Sequence, residues 1–219
     1  TRQLKDMLFD EGSIFQSTSD SELILHMLSR SRADGFEPAL VETLEQLEGA
    51  FSMTMTHDDS LLAIRDPWGF RPLYIGQDSE KTVVASETCA LDILKIQDYR
   101  QVEPGEVVIV NSEGTRSIRF GNAPEKPRRC VFELIYFARP DSQIFANSVY
   151  QRRKAMGGEL ARQDAESTSP LRADIVIPVP DSGNTAALGY AEVAGLPFEM
   201  GLTRNHFSGR SFIMPTTSE

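Results

Sequence analysis

The chain has 219 residues with 22 Lys or Arg against 32 Asp or Glu, a net charge of −10. That length bounds it to one or two domains, and an acidic chain without a basic block is poorly matched to a nucleic acid. No apolar run approaches the roughly 20 residues of a membrane helix. Thr1-Arg2-Gln3-Leu4-Lys5 has no signal-peptide core, and two cysteines are too few for a disulfide scaffold, so the expectation is a soluble, cytoplasmic protein. In chain order, Ser19-x-x-Glu22 has capping-box spacing, and Leu23, Ile24, Met27 and Leu28 follow at helical intervals, predicting a helix. A second helix is predicted over 38–48, with Val41, Leu44 and Leu47 on one face and Gly49 as the stop. The period then falls to two. Residues 51–55 alternate, His57-Asp58-Asp59-Ser60 reads as a turn, and 61–64 reads as the returning strand. Asp66-Pro67-Trp68-Gly69 places Asp, Pro and Gly where a type I turn prefers them. Strands at 73–75, 82–85 and 107–110 and a short helix at 87–94 complete an α+β pattern.

The polar stretch 121–129, with Pro124 and Pro127, marks the expected boundary, giving domains 1–122 and 123–219. Beyond it a strand is predicted at 131–137 and a helix at 149–162. Residues 175–177, 185–194 and 198–202 read as strand, helix and strand, the helix stopped by Gly195 with Pro197 just past it. That βαβ unit implies a parallel sheet with a right-handed crossover.

Ligands of open α/β sheets bind beyond the carboxyl ends of the strands. Here that rim carries Asp181, Ser182 and Gly183 before a helix N-terminus and Arg204 and Arg210 after the next strand. Two arginines facing hydroxyls, a carboxylate and free backbone N–H groups suit a phosphate or diphosphate, with Mg²⁺ taken up through hard oxygens. Ordinary βα turns with solvated charges are the blander reading of the same spacing, since Gly-containing βα loops are common and not specific. In the first half, Asp20 in a helix's first turn is consistent with simple dipole complementarity. Arg65 and Asp66 at a hairpin end read as structural, and Cys89 as a buried thiol. Cys130 follows two arginines, but no second Cys or His stands at a metal-ligand spacing from it. His26 and His57 read as surface or satisfied histidines.

Several strings resemble the amidophosphoribosyltransferase family. They are Ile14-Phe15-Gln16-Ser17-Thr18-Ser19-Asp20-Ser21-Glu22, Arg65-Asp66-Pro67-Trp68-Gly69-Phe70-Arg71-Pro72-Leu73, Val84-Ala85-Ser86-Glu87-Thr88, Val102-Glu103-Pro104-Gly105-Glu106, Tyr136-Phe137-Ala138-Arg139-Pro140-Asp141-Ser142 and the stretch 204–215. The resemblance implies the later part of an N-terminal-nucleophile αββα glutaminase sandwich, then the start of a type I phosphoribosyltransferase parallel sheet. It implies two substrates, glutamine and phosphoribosyl diphosphate, that a homo-oligomeric parent converts to 5-phosphoribosylamine, the first step of purine synthesis. Asp20 matches the carboxylate that holds glutamine's α-amine, Ser182 a Mg²⁺ ligand, and 204–215 a mobile loop over the diphosphate. Cys130 matches a position that ligates a [4Fe–4S] cluster in one branch of the family. The nucleophilic cysteine, the oxyanion-hole pair and the Asp-Asp diphosphate signature are expected outside residues 1–219, so the chain alone is expected to be an inactive internal fragment. Phe207 stands where the family has Tyr, and Asn184-Thr185 replaces a more apolar pair. The alternative is a non-catalytic phosphate-binding module related to the enzyme.

Overall fold

The computed structural model describes residues 2–169, 172–205 and 207. It divides into two compact units, Thr1–Cys130 and Val131–Glu219.

The first unit opens with helices α1 (Arg2–Asp10), α2 (Asp20–Arg30) and α3 (Phe36–Glu45). Strands β1 (Ser52–His57) and β2 (Ser60–Arg65) follow, then β3 (Tyr74–Gln77), β4 (Thr82–Ala85), helix α4 (Thr88–Ile93), β5 (Asp98–Gln101), β6 (Glu106–Asn111) and β7 (Gly114–Arg119). They make two antiparallel sheets, ordered β1-β2-β6-β7 and β4-β3-β5. The pleat explains the layering. On β2, Leu62 and Ile64 face Leu40 and Leu44 of α3, together with Val107 and Ile109 of β6. The alternate residues Ala63 and Val108 face Leu73, Ile75 and Val102 on the side of the second sheet. Central strands covered on both faces carry near-continuous apolar runs. The outer strand β7 is exposed along most of its length and sends only Ile118 toward the core. Residues 121–129, expected as a join between domains, run with the first unit as far as Cys130: the Arg128 and Cys130 N–H groups donate to the carbonyls of Trp68 (2.8 Å) and Phe70 (2.9 Å).

The second unit holds a π-helical turn (Glu133–Phe137), a hairpin of β8 (Gln143–Ile144) and β9 (Asn147–Ser148), and helices α5 (Val149–Ala165) and α6 (Asn184–Ala194). Two predicted elements are corrected here. Residues 131–137 are not a strand. The buried Arg153 guanidinium of α5 donates to the carbonyls of Leu134 (2.8 Å) and Ala138 (2.7 Å), so those acceptors serve a side chain rather than a neighbouring strand. The predicted parallel strands at 175–177 and 198–202 shrink to one parallel bridge, Val176 with Phe198. Pro178, Pro180 and Pro197 supply no N–H, which stops the ladder from lengthening. Ile175, Ile177, Val179, Met200 and Leu202 along these segments stay exposed.

Helices α5 and α6 lie unusually close. A Cβ at Gly157 would sit 1.8 Å from the Ala186 carbonyl oxygen, and one at Gly189 would sit 1.9 Å from that of Lys154. Around this glycine contact, Lys154 pairs with Glu192 (2.7 Å) and the Tyr190 hydroxyl donates to Asp164 (2.9 Å).

Candidate functional site

Asp20 is the first residue of α2 and is exposed. Its surroundings follow from the residues just before it. Ser19 caps the helix, its hydroxyl accepting from the Ser21 N–H (3.3 Å). Glu22 does not close the predicted capping box onto Ser19. It reaches past the cap and accepts from the Gln16 N–H (2.6 Å), the Ser17 N–H (2.8 Å) and the Ser17 hydroxyl (2.6 Å). The Gln16 amide, the Ser17 hydroxyl and the Ser17 amide outweigh desolvation and hold the Glu22 carboxyl at about 2. The Ser17 hydroxyl also accepts from the Ser19 N–H (3.1 Å). Lys5 of α1 donates to the Ser17 carbonyl (3.4 Å) and lies over the Phe15 ring (4.7 Å). The result is a polar, surface loop with a defined shape that ends in an outward carboxylate. Such a carboxylate suits an ammonium group.

The Arg65-Asp66 corner is structural, as its sequence suggests. Arg65 is buried and donates from Nε to the Arg71 carbonyl (2.9 Å), from one terminal nitrogen to Val102 (2.6 Å) and from the other to Gly69 (2.9 Å). Burial pushes its guanidinium below the usual value, with Asp66 pulling the other way. Burial raises the Asp66 carboxyl, while the N–H groups of Phe70, Phe51 and Trp68 draw it down. Cys89 is a buried thiol on α4.

In the second unit, the loop before α6 carries the other predicted residues. The Pro180–Asp181 peptide is cis. Asp181 is exposed and its carboxylate accepts from Arg204 (3.0 Å), so these two predicted residues do meet. Gly183 closes the turn, its N–H donating to the Val179 carbonyl (3.0 Å), and a Cβ there would come within 2.5 Å of that oxygen. Gly183 also leaves the N-terminus of α6 without a side-chain cap. Ser182 is half-buried and lines a cleft of about 400 Å³ with Ile135, Met156, Leu160 and Ala186. Arg210 lies outside the described residues. Sequence reasoning missed Glu22 as a loop anchor and Arg153 as the clamp on the π-helical turn. The signal for Arg153 was an arginine one helical turn from small residues on an otherwise polar helix, where a buried cation is easy to overlook.

Metal fit differs between the two implied groups. Asp181 and Ser182 offer hard oxygens of the kind Mg²⁺ accepts, and Mg²⁺ commonly completes its shell with substrate phosphates and water. No group of three or more His, Cys, Asp or Glu among the described residues converges on a metal position. An iron–sulfur cluster takes four ligands, usually thiolates. With two cysteines in the chain, Cys130 half-buried and Cys89 buried in a separate helix, these residues do not form one.

Residues 1–93 match a family model described as a glutamine amidotransferase domain, which sets the class of the first unit. The similarity extends further. An amidophosphoribosyltransferase of Glycine max is 48% identical over 208 residues, 94% of this chain and 36% of that protein. The enzyme of Bacillus subtilis is 42% identical over 214 residues, 98% of this chain and 44% of that protein. A solved B. subtilis glutamine phosphoribosylpyrophosphate amidotransferase, complexed with ADP and GMP, superposes with a TM-score of 0.87 at 42% identity, covering 99% of this chain and 46% of that one. The chain spans less than half the length of these relatives. Along nearly its whole length the chain is similar to a part of these amidophosphoribosyltransferases. No helix among the described residues is long and apolar enough to cross a membrane.

Proposed function

We propose that this chain works as part of an amidophosphoribosyltransferase, combining wall segments of a glutamine site and of a phosphoribosyl-diphosphate site. The first unit is the later part of an N-terminal-nucleophile glutaminase sandwich and the second the start of a type I phosphoribosyltransferase sheet. The observation that carries the reading is the similarity that runs collinearly through both units, not through the amidotransferase match alone. Asp20 holds the α-ammonium of glutamine by charge. Asp181, Ser182, Gly183 and Arg204, joined by Arg210, form the rim for the diphosphate, where a helix N-terminus and guanidinium groups favour an anion. The Ser182 hydroxyl would be among the ligands of a Mg²⁺ ion there, and the ion would supply neutralisation of diphosphate charge. The parent is a homo-oligomer of a soluble compartment, cytoplasmic in organisms without plastids. Cys89 is buried and donates to the Glu87 carboxylate (3.7 Å), so its thiol is not presented to a glutamine.

The test is a hybrid in which this chain replaces the matching 44% of the B. subtilis enzyme. Phosphoribosylamine formation from glutamine and phosphoribosyl diphosphate is the expected result, with neither glutaminase nor synthase activity in the 219-residue chain alone. A folded hybrid that binds phosphoribosyl diphosphate yet makes no product favours a non-catalytic phosphate-binding module instead.

A further inference from the structure

We propose that Glu22 is the positioning residue for the glutamine-side carboxylate, fixing the 16–19 loop so that Asp20 meets the substrate ammonium at one set position. The inference rests on the reading of Asp20 given above.

The loop needs an anchor because it has little core of its own. Gln16, Ser17, Thr18, Ser19 and Asp20 are all exposed, so apolar burial does not set their conformation. Polar bonds do, and they converge on one side chain. Both Glu22 oxygens are used: Oε1 takes the Gln16 N–H at 2.6 Å, while Oε2 takes the Ser17 N–H at 2.8 Å and the Ser17 hydroxyl at 2.6 Å. The order passes onward through Ser17 to the Ser19 N–H at 3.1 Å, and through the Ser19 hydroxyl to the Ser21 N–H at 3.3 Å. Asp20 lies inside this chain of bonds, with its peptide held on both sides.

Glu22 also comes from the first turn of α2, whose inner face is fixed by Leu23 and Met27 packing against Leu8 of α1. The anchor is therefore tied to a rigid element while the residue it positions stands in solvent. Bonds to an ionised carboxylate are the stronger class, and the Glu22 carboxyl titrates at about 2, so the anchor stays charged at every pH at which such an enzyme works. His26, one turn on, lies 3.8 Å from Oε1 and packs edge-on against Phe15. It adds to the frame without replacing the carboxylate.

The experiment uses the complete amidophosphoribosyltransferase that carries this chain, assayed with glutamine and, separately, with ammonia as the nitrogen source. Glu22→Gln keeps the side chain's size but turns an acceptor into a donor facing a backbone N–H. It is expected to raise KM for glutamine about tenfold, with kcat changed less and the ammonia-dependent rate unchanged. Ser17→Ala is expected to shift KM in the same direction by a smaller factor, and Glu22→Asp to fall between wild type and Glu22→Gln. Glu11→Gln, which removes the carboxylate paired with Arg30 on the same helix pair (2.7 Å), serves as a control expected to leave both rates as they are. A KM for glutamine within twofold of wild type in Glu22→Gln overturns the proposal. So does an equal fall in the glutamine and ammonia rates, which marks a purely structural role. Asp20→Asn separates the two readings: if it leaves KM for glutamine unchanged, Asp20 does not hold the ammonium, and the positioning role falls with it.

Discussion

Three buried charged side chains in the first unit show how single residues fix distant segments. Arg65 collects the carbonyls of Gly69, Arg71 and Val102, three acceptors that no strand uses. Asp66 beside it takes the N–H groups of Phe51 (3.4 Å) and Trp68 (3.0 Å). Glu106 goes furthest from its usual behaviour. Its side chain is only 4% exposed, and it accepts from Arg100 at both oxygens (2.7 and 2.9 Å), from Ser117 (2.6 Å) and from the Glu103 N–H (2.6 Å). Burial alone pushes this carboxyl up, but those donors outweigh it and bring it from 4.5 down to about 2. A folded value below the unfolded one means the stabilisation is complete above about pH 4.5 and disappears as pH falls toward 2. At about 1.4 kcal/mol per unit the full effect is about 3 kcal/mol. Urea unfolding of the first unit between pH 7 and pH 2.5 measures it. Wild type is expected to lose stability steeply below pH 4.5, and Glu106→Gln to start about 3 kcal/mol lower and show a flatter acid limb. Equal slopes in the two proteins count against this account.

At the scale of elements, the α5–α6 contact makes the sharpest demand on sequence. Because Gly189 faces the Lys154 carbonyl and Gly157 faces that of Ala186, a methyl at either position forces the helix backbones apart. Gly189→Ala is expected to destabilise the second unit by about 3 kcal/mol, read as a lower denaturation midpoint. Gly158→Ala is the informative contrast, because its new methyl meets the Val193 side chain at 3.0 Å and backbone only at an ordinary contact distance, the Gly189 carbonyl oxygen at 3.6 Å. It is expected to be neutral or slightly stabilising, since alanine is the better helix former. Elements carrying their own local signal were legible in the sequence: Ser19 and the apolar spacing of α2, the alternation through β1 and β2, and the stop at Gly195 after α6. Other elements depend on partners far along the chain. The apolar string 131–137 fits a strand by composition, and only Arg153, at least 16 residues later, makes it a π-helical turn. Strands β5 and β7 are short or largely exposed and show no clean alternation, so they take their identity from pairing with β3 and β6. The site divides in the same way. Asp20 and the rim of Asp181 and Ser182 stand out as motifs, whereas Glu22 looks like half of a capping box until its bonds are traced to Gln16 and Ser17.

At the scale of the molecule, two opposed properties govern how the 219-residue chain behaves in solution. The second unit leaves Val179 70%, Met200 57% and Leu202 52% exposed around the one parallel bridge among its described residues, next to Ile175 and Ile177. Exposed apolar side chains in such number favour association, and backbone groups left without a ladder offer edges for another strand. The net charge of −10 opposes it, since like-charged chains repel over a Debye length. That length is about 30 Å at 0.01 M salt and about 3 Å at 1 M. Added salt therefore removes the repulsion and leaves the apolar attraction intact. Sedimentation velocity across this range is expected to show monomer at low salt and increasing self-association as salt rises, accompanied by stronger binding of an apolar fluorescent dye at low salt than a fully covered domain shows. Val179→Asp, which puts a charge on the most exposed of these apolar residues without touching the α5–α6 contact, is expected to move the association to higher salt. Association driven by ion pairs responds in the opposite sense, weakening as salt rises, so the direction of the salt dependence decides which force controls the chain.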